Sequence, residues 1–160
     1  MRLNGKRILL GVTGSIAAYK AVELLRLLTK AGAEVQVVMT EAATKFVAPL
    51  TFETLSRQEV LRDMWSLAYS HRIGHIEATQ RADLFVVAPA TARTIARLAL
   101  GLADDFLSCI YLASRCPVVV APAMDCDMLE HQVVQENLGR LRDRGVHIVE
   151  PDTGPLARLA

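Results

Sequence analysis

The residues of this 160-residue chain best suited to chemistry stand at the ends of short apolar runs. Leu84-Phe85-Val86-Val87 runs into Ala88-Pro89-Ala90-Thr91-Ala92-Arg93-Thr94, Ile8–Val12 into Thr13-Gly14-Ser15, and Val118–Val120 into Ala121-Pro122-Ala123-Met124-Asp125. Each reads as a buried strand entering a turn of small and hydroxylated residues, with a helix directly after it. Such turns present backbone N–H groups and hydroxyls at the carboxyl edge of a parallel sheet, and three of them together form a pocket for a flat, polar or anionic ligand. Thr40 and Thr44, which follow the run Glu34–Met39, add hydroxyls at a neighbouring strand end.

Each candidate has a plainer reading. Gly11-Val12-Thr13-Gly14-Ser15-Ile16-Ala17 lacks the G-x-G-x-x-G spacing of a dinucleotide fingerprint, and Thr40 rather than an acid follows the second strand. Alone, this would be an ordinary strand-to-helix turn. With hydroxyls at Thr40, Thr44, Thr91 and Thr94, it fits a mononucleotide phosphate or ribityl chain better than an NAD ribose. His75, between Gly74 and Ile76 at the start of a short helix, is placed to act as a base near neutral pH, because a helix N-terminus lowers an imidazole's pKa. A surface or capping histidine is the plainer alternative. His71, His131 and His147 read as structural. Asp104-Asp105 opens a helix, where one carboxylate serves as a cap and leaves the other to hold a neighbouring loop. Asp125 caps the next helix or faces the ligand. No spacing points to a metal.

The elements that must position these groups alternate regularly. Strands are expected over Lys6–Val12, Glu34–Met39, Asp83–Val87, Pro117–Ala121 and Val146–Glu150. Helices are expected over Ser15–Ala31 (Ser15 its cap, Gly32 its stop), Thr40–Thr44 (closed by Pro49), Thr51–Ser56, His75–Gln80, Thr91–Leu100, Asp104–Ala113 and Met128–Arg144. This is a three-layer, doubly wound α/β domain, Rossmann-like and flavodoxin-like, with a parallel sheet, and one domain over 1–160. At 52% hydrophobic the chain can build a core, and a net charge of +1 speaks against an electrostatic nucleic-acid binder. No apolar run reaches the roughly 18 residues of a membrane span, and the short polar N-terminus points to the cytoplasm. Cys109, Cys116 and Cys126 fit reduced thiols, the first two as small buried hydrophobes. Met64–Ile73, with Trp65 and Tyr69, is the least regular stretch and suits a lid or subunit contact.

Six segments in register carry a resemblance: Gly14–Lys20, Phe46–Ser56, Gly74-His75-Ile76-Glu77, Ala88–Thr94, Gly101–Ser108 and Pro122-Ala123-Met124. Nearly the whole chain resembles the homo-oligomeric flavin-containing cysteine decarboxylases, most closely the members of that family that act on 4′-phosphopantothenoyl-cysteine in coenzyme A biosynthesis. The resemblance implies FMN at the strand ends. Gly14, Ser15 and Ile16 would lie near the flavin, with Ala123 beside them. Thr40, Thr44, Thr91, Ala92, Arg93 and Thr94 would approach the ribityl phosphate. It also implies His75 as the catalytic histidine, Asp125 in a catalytic and substrate-contacting position, and Met124 and Phe46 at the substrate. In that family the flavin oxidises the cysteine thiol to a thioaldehyde, an electron sink that lets the neighbouring carboxylate leave as carbon dioxide. The family's homo-oligomers, trimers or dodecamers, hold FMN between subunits.

Two departures stand out. The family usually has Asn after Pro-Ala-Met; here Asp125, when ionised, only accepts hydrogen bonds and repels a substrate carboxylate. Gly154-Pro155-Leu156-Ala157 runs straight into Arg158-Leu159-Ala160, without the flap whose cysteine returns electrons to the product. The ligase domain of many bacterial relatives is also absent from this sequence, as expected of a decarboxylase half or a standalone form. Two rivals remain: a decarboxylase of a peptide's C-terminal cysteine, which needs no reductive cysteine, and a flavin-binding regulatory subunit without catalysis.

Overall fold

The computed structural model describes residues 2–65 and 79–151. Five parallel strands form one sheet in the order β2-β1-β3-β4-β5. They are β1 (Arg7–Val12), β2 (Glu34–Met39), β3 (Leu84–Ala90), β4 (Val118–Pro122) and β5 (His147–Ile148). Among the described residues the helices given ranges are α1 (Ala18–Lys30), α2 (Pro49–Ser56), α3 (Ala92–Leu100), α4 (Phe106–Ala113), α5 (Cys126–Glu130) and α6 (Gln132–Asp143), with a 3₁₀ turn over Ala42–Lys45.

Side chains alternate between the sheet's two faces, and both faces are covered. Ile8, Leu10 and Val12 of β1, with Val35, Val37 and Met39 of β2, pack against Ala18, Ala21 and Leu25 of α1 and Phe52 of α2. On the opposite face Leu9, Phe85, Val87 and Val120 meet Ile95 and Leu98 of α3, Leu107 and Ile110 of α4, and Leu138 and Leu141 of α6. This is the three-layer, flavodoxin-like arrangement expected. The strand order reverses direction between β1 and β3, and in open α/β sheets that crevice at the carboxyl ends is where ligands bind.

Local differences have identifiable causes. α1 starts at Ala18, because Ser15 is spent on a preceding turn: its N–H donates to the Thr13 carbonyl and its hydroxyl accepts from Ala17 N–H at 3.2 Å. Gly32 does end this helix, at φ +98°, with Gly32 N–H reaching Thr29 O and Ala33 N–H reaching Leu28 O. Thr40 caps as expected, its hydroxyl accepting from Ala43 N–H at 3.3 Å, but the element it caps is only a 3₁₀ turn. Pro49 does not close that turn; it is the first residue of α2, where its missing N–H costs nothing. β3 continues past Val87 through the cis Ala88–Pro89 peptide to Ala90. The helix expected over Met128–Arg144 is two, broken at His131, whose Nδ1 accepts from Val133 N–H at 3.2 Å and caps α6. β5 is shorter than Val146–Glu150. Cys109 and Cys116 are half-buried, and Cys126 is exposed. His71, Tyr69 and most of the stretches Met64–Ile73 and His75–Gln80, His75 included, lie outside the described residues.

Candidate active site

The carboxyl ends of β1, β2, β3 and β4 open onto one cleft of about 1570 Å³. Single-ligand pockets run to roughly 300–1,000 Å³, so this one has room for two ligands together. At the point where the strand order reverses, Thr13 joins β1 to β3. It is 1% exposed, its hydroxyl donates to the Pro89 carbonyl at 2.7 Å, and its Oγ1 accepts from Thr91 N–H at 3.0 Å. One buried side chain thus fixes where α3 begins.

Gly14 comes next, and its lack of a side chain has a specific reason. A Cβ there would sit 2.5 Å from the Ala42 Cβ and 3.0 Å from the Ala42 carbonyl carbon. The turn after β1 therefore touches the turn after β2, which brings Gly14, Ser15 and Ile16 to the same wall as Thr40.

At α3, Thr91 is the cap: its Oγ1 accepts from Thr94 N–H at 3.3 Å and lies 3.2 Å from Thr94 Oγ1. One hydroxyl donates to the other, and the acceptor keeps its own proton for a ligand. Ala92 and Arg93 begin the helix, so their N–H groups have no acceptor within it, and they stand at its partial positive charge. All four residues line the cleft.

The opposite wall comes from β4 and the start of α4. Ala123, Met124 and Asp125 line it. Asp125 caps α5, accepting from Asp127 N–H at 3.0 Å. Arg97, its side chain 17% exposed, reaches Asp104 Oδ2 at 2.8 Å and Asp105 Oδ2 at 2.9 Å. Asp105 also accepts from Ser108 N–H at 2.7 Å in a reciprocal capping box. The expected division of labour holds, one aspartate capping, but the partner of both is a helix side chain rather than a loop.

Two expected site residues stand apart from this lining. The Thr44 hydroxyl donates to the Glu41 carbonyl at 2.7 Å, and Phe46 is 49% exposed beyond the cleft. Lys20, Lys45, Glu41 and Arg97 line the cleft and were not singled out from sequence. Their signal was positional: each lies within about two turns of a strand-end turn already recognised. Burial raises the thiol pKa of Cys109 and Cys116; Asp105 and Asp104 add to the effect at Cys109, and at Cys116 backbone and Ser114 hydrogen bonds partly oppose it.

A doubly wound parallel domain with a hydroxyl-lined cleft at its switch point places this chain among the α/β proteins that take a ligand across their strand tips. The chain belongs to the flavoprotein family, whose sequence profile matches residues 1–159. It is 47% identical over 154 residues to the coenzyme A biosynthesis bifunctional protein CoaBC of Haemophilus influenzae, covering 96% of this chain and 38% of that protein. The CoaBC of Bacillus subtilis is 48% identical over 155 residues, 97% of this chain and 38% of the relative. The chain therefore spans well under half the length of these relatives. Among solved structures, the FMN-dependent cysteine decarboxylase SpaF superposes with a TM-score of 0.85 at 34% identity, over 93% of this chain and 86% of its own. A PPC decarboxylase variant complexed with pantothenoylaminoethenethiol superposes with a TM-score of 0.83 at 32% identity, over 96% and 86%. Among the described residues, no helix is long and apolar enough to cross a membrane.

Proposed function

We propose that the strand-tip cleft binds FMN and decarboxylates the cysteine of 4′-phosphopantothenoyl-cysteine, giving 4′-phosphopantetheine for coenzyme A biosynthesis. The observation that carries this reading is the cleft itself: large enough for two ligands, lined by hydroxyls and helix-start N–H groups, and set in a chain that superposes on a PPC decarboxylase over 96% of its length.

The residues fit FMN. Gly14, Ser15 and Ile16 would hold the ring side. Thr40 and the Thr91-Ala92-Arg93-Thr94 turn would hold the ribityl phosphate on neutral donors and a helix N-terminus. Thr44 joins them only if its hydroxyl leaves the Glu41 carbonyl. When bound, FMN would take two electrons from the substrate thiol and, once carbon dioxide has left, return them, so that the product is again a thiol. The chain's own part is binding, orientation and proton transfer. Ala123 and Met124 present an apolar wall, and Asp125, anchored as a cap, fixes an acceptor toward the substrate. Phe46, which stands outside this cleft lining, would reach the substrate only across a subunit contact, and His75 would take the thiol proton. We assign the catalytic unit to 1–160, in a cytoplasmic homo-oligomer, a trimer or dodecamer. The 84% exposed Trp65 supports a subunit contact.

A second reading keeps the cysteine-decarboxylase chemistry that the likeness to SpaF supports and takes a peptide's C-terminal cysteine as the substrate. Incubating the FMN-loaded protein with each substrate and weighing the products separates the two. Decarboxylated 4′-phosphopantothenoyl-cysteine alone supports the first reading, and a decarboxylated peptide alone replaces it.

A further inference from the structure

The wall formed by β4 and the start of α4 carries three carboxylates, Asp104, Asp105 and Asp125, all lining the cleft. Arg97, on α3, binds two of them, donating to Asp104 Oδ2 at 2.8 Å and to Asp105 Oδ2 at 2.9 Å. Among the described residues no other cation pairs with either aspartate. The Arg97 side chain is largely buried, so its charge is screened less than that of a surface cation. Its backbone is tied to the same segment, with the Arg97 carbonyl accepting from Leu102 N–H at 3.0 Å. Asp105 is fixed as well, its Oδ1 accepting from Ser108 N–H and from the Ser108 hydroxyl, both at 2.7 Å. Capping α4 needs only Asp105 and Ser108, so the cap does not account for a guanidinium in the cleft lining.

The proposed substrate makes a demand on this wall. It carries a cysteine carboxylate that its decarboxylated product lacks, and it is placed against Ala123, Met124 and Asp125. Carboxylates held in a cleft with low-dielectric sides repel another more strongly than they would in open water. We infer that Arg97 is a specificity-determining residue: by offsetting the charge of Asp104 and Asp105, it lets a ligand that bears a carboxylate lie against the β4–α4 wall. Arg97 acts through the two aspartates and is a positioning residue rather than a catalytic one. The inference rests on the proposed function, which supplies the carboxylate.

The test uses the FMN-loaded protein and two ligands that differ only in the carboxylate. Both carry a hydroxyl where the thiol would be, so the flavin does not oxidise them: 4′-phosphopantothenoyl-serine and 4′-phosphopantothenoyl-ethanolamine. Calorimetry measures their binding to wild type, Arg97→Met, Arg97→Lys and Asp104→Asn. Lys30→Gln, at the end of α1, is the control for lost charge. One unit of charge acting across a partly hydrated cleft changes affinity on the order of tenfold. Arg97→Met should therefore bind the serine ligand about tenfold more weakly and the ethanolamine ligand as wild type does. Arg97→Lys should keep most of the affinity, since it retains the charge and loses only the two-pronged grip. Asp104→Asn leaves Arg97 on Asp105 and should tighten the serine ligand by about threefold, a smaller step because Asp104 is the more exposed aspartate. Raised salt should narrow each difference.

A loss confined to the serine ligand in Arg97→Met, together with a gain confined to it in Asp104→Asn, supports the inference. Equal loss of both ligands in Arg97→Met overturns it, because a purely structural tie between α3 and α4 would give that result. Unchanged binding in Arg97→Met, the same loss in Lys30→Gln, or no gain in Asp104→Asn also overturns it. Should Arg97→Met fail to fold, Asp104→Asn decides alone, since a structural tie predicts loss where the charge argument predicts gain. A protein that shows this Arg97-dependent selectivity yet releases no carbon dioxide from 4′-phosphopantothenoyl-cysteine would reject the functional reading and leave the inference standing.

Discussion

Replacing Gly14 by alanine tests how the site is held together. The new Cβ would lie 2.5 Å from the Ala42 Cβ and 3.0 Å from the Ala42 carbonyl carbon. Carbon atoms rest at about 3.5–4.0 Å, so the closer pair overlaps by about 1 Å. Ala42 meets the new methyl with its backbone as well as its side chain, so no rotamer relieves the clash. The turns after β1 and β2 must separate. Overpacking of this kind costs about 1–3 kcal/mol, or a factor of about 5 to 150 in the folding equilibrium. Opening the two turns also moves Thr40, proposed to hold the ribityl phosphate, away from Ser15, proposed to hold the ring side. If half the strain is released that way, FMN affinity falls on the order of tenfold. Urea unfolding and flavin retention on gel filtration read both effects. Gly139→Ala is the matched control: its Cβ meets nothing within 4 Å inside α6, so it should gain about 0.5–1 kcal/mol. A Gly14→Ala protein with unchanged unfolding midpoint and full flavin content would refute the close-approach argument.

Other substitutions probe separate parts. Arg97→Met removes two charged hydrogen bonds beneath the acidic wall and should cost about 1–3 kcal/mol in urea unfolding, with Arg97→Lys in between. Asp83 accepts from Arg7 N–H at 2.9 Å, the main cause of its lowered pKa, with burial partly opposing and Lys6 assisting. The contribution is therefore present above the ordinary carboxylate range and lost as pH falls through the lowered value; Asp83→Asn should flatten the acid limb of a stability–pH profile. His75→Asn should keep FMN and lose decarboxylation, read by carbon dioxide release. Asp125→Asn should leave activity level or raise it, since an amide can still cap α5 without repelling a substrate carboxylate; complete loss would show that the carboxylate itself is required.

Much of this architecture was legible because it is written in short-range patterns. Buried strands such as Leu84–Val87 are continuous apolar runs, and Gly32 and Gly101 mark helix ends by their positive φ. The features that escaped depend on contacts between distant segments. Thr13 looks like any turn threonine until Pro89 and Thr91 are brought beside it. Gly14 reads as a turn former, whereas its neighbour across the site, Ala42, is what demands it. Arg97 sits on a helix that could have faced solvent, and only the fold delivers Asp104 and Asp105 to it. His131 breaks a continuous amphipathic pattern because its ring nitrogen offers α6 a cap, which hydrophobic periodicity does not register. Thr44 was grouped with the site for its hydroxyl near a strand end and Phe46 by resemblance, and here both stand outside the cleft lining.

The most direct test of the flavin-decarboxylase account is the blue-region absorbance of the purified, FMN-loaded protein mixed anaerobically with 4′-phosphopantothenoyl-cysteine. The account predicts that the flavin band bleaches as the thiol is oxidised and that carbon dioxide is released. A protein that takes up no flavin, or a flavin band that keeps its full intensity while the substrate is recovered intact, would contradict it.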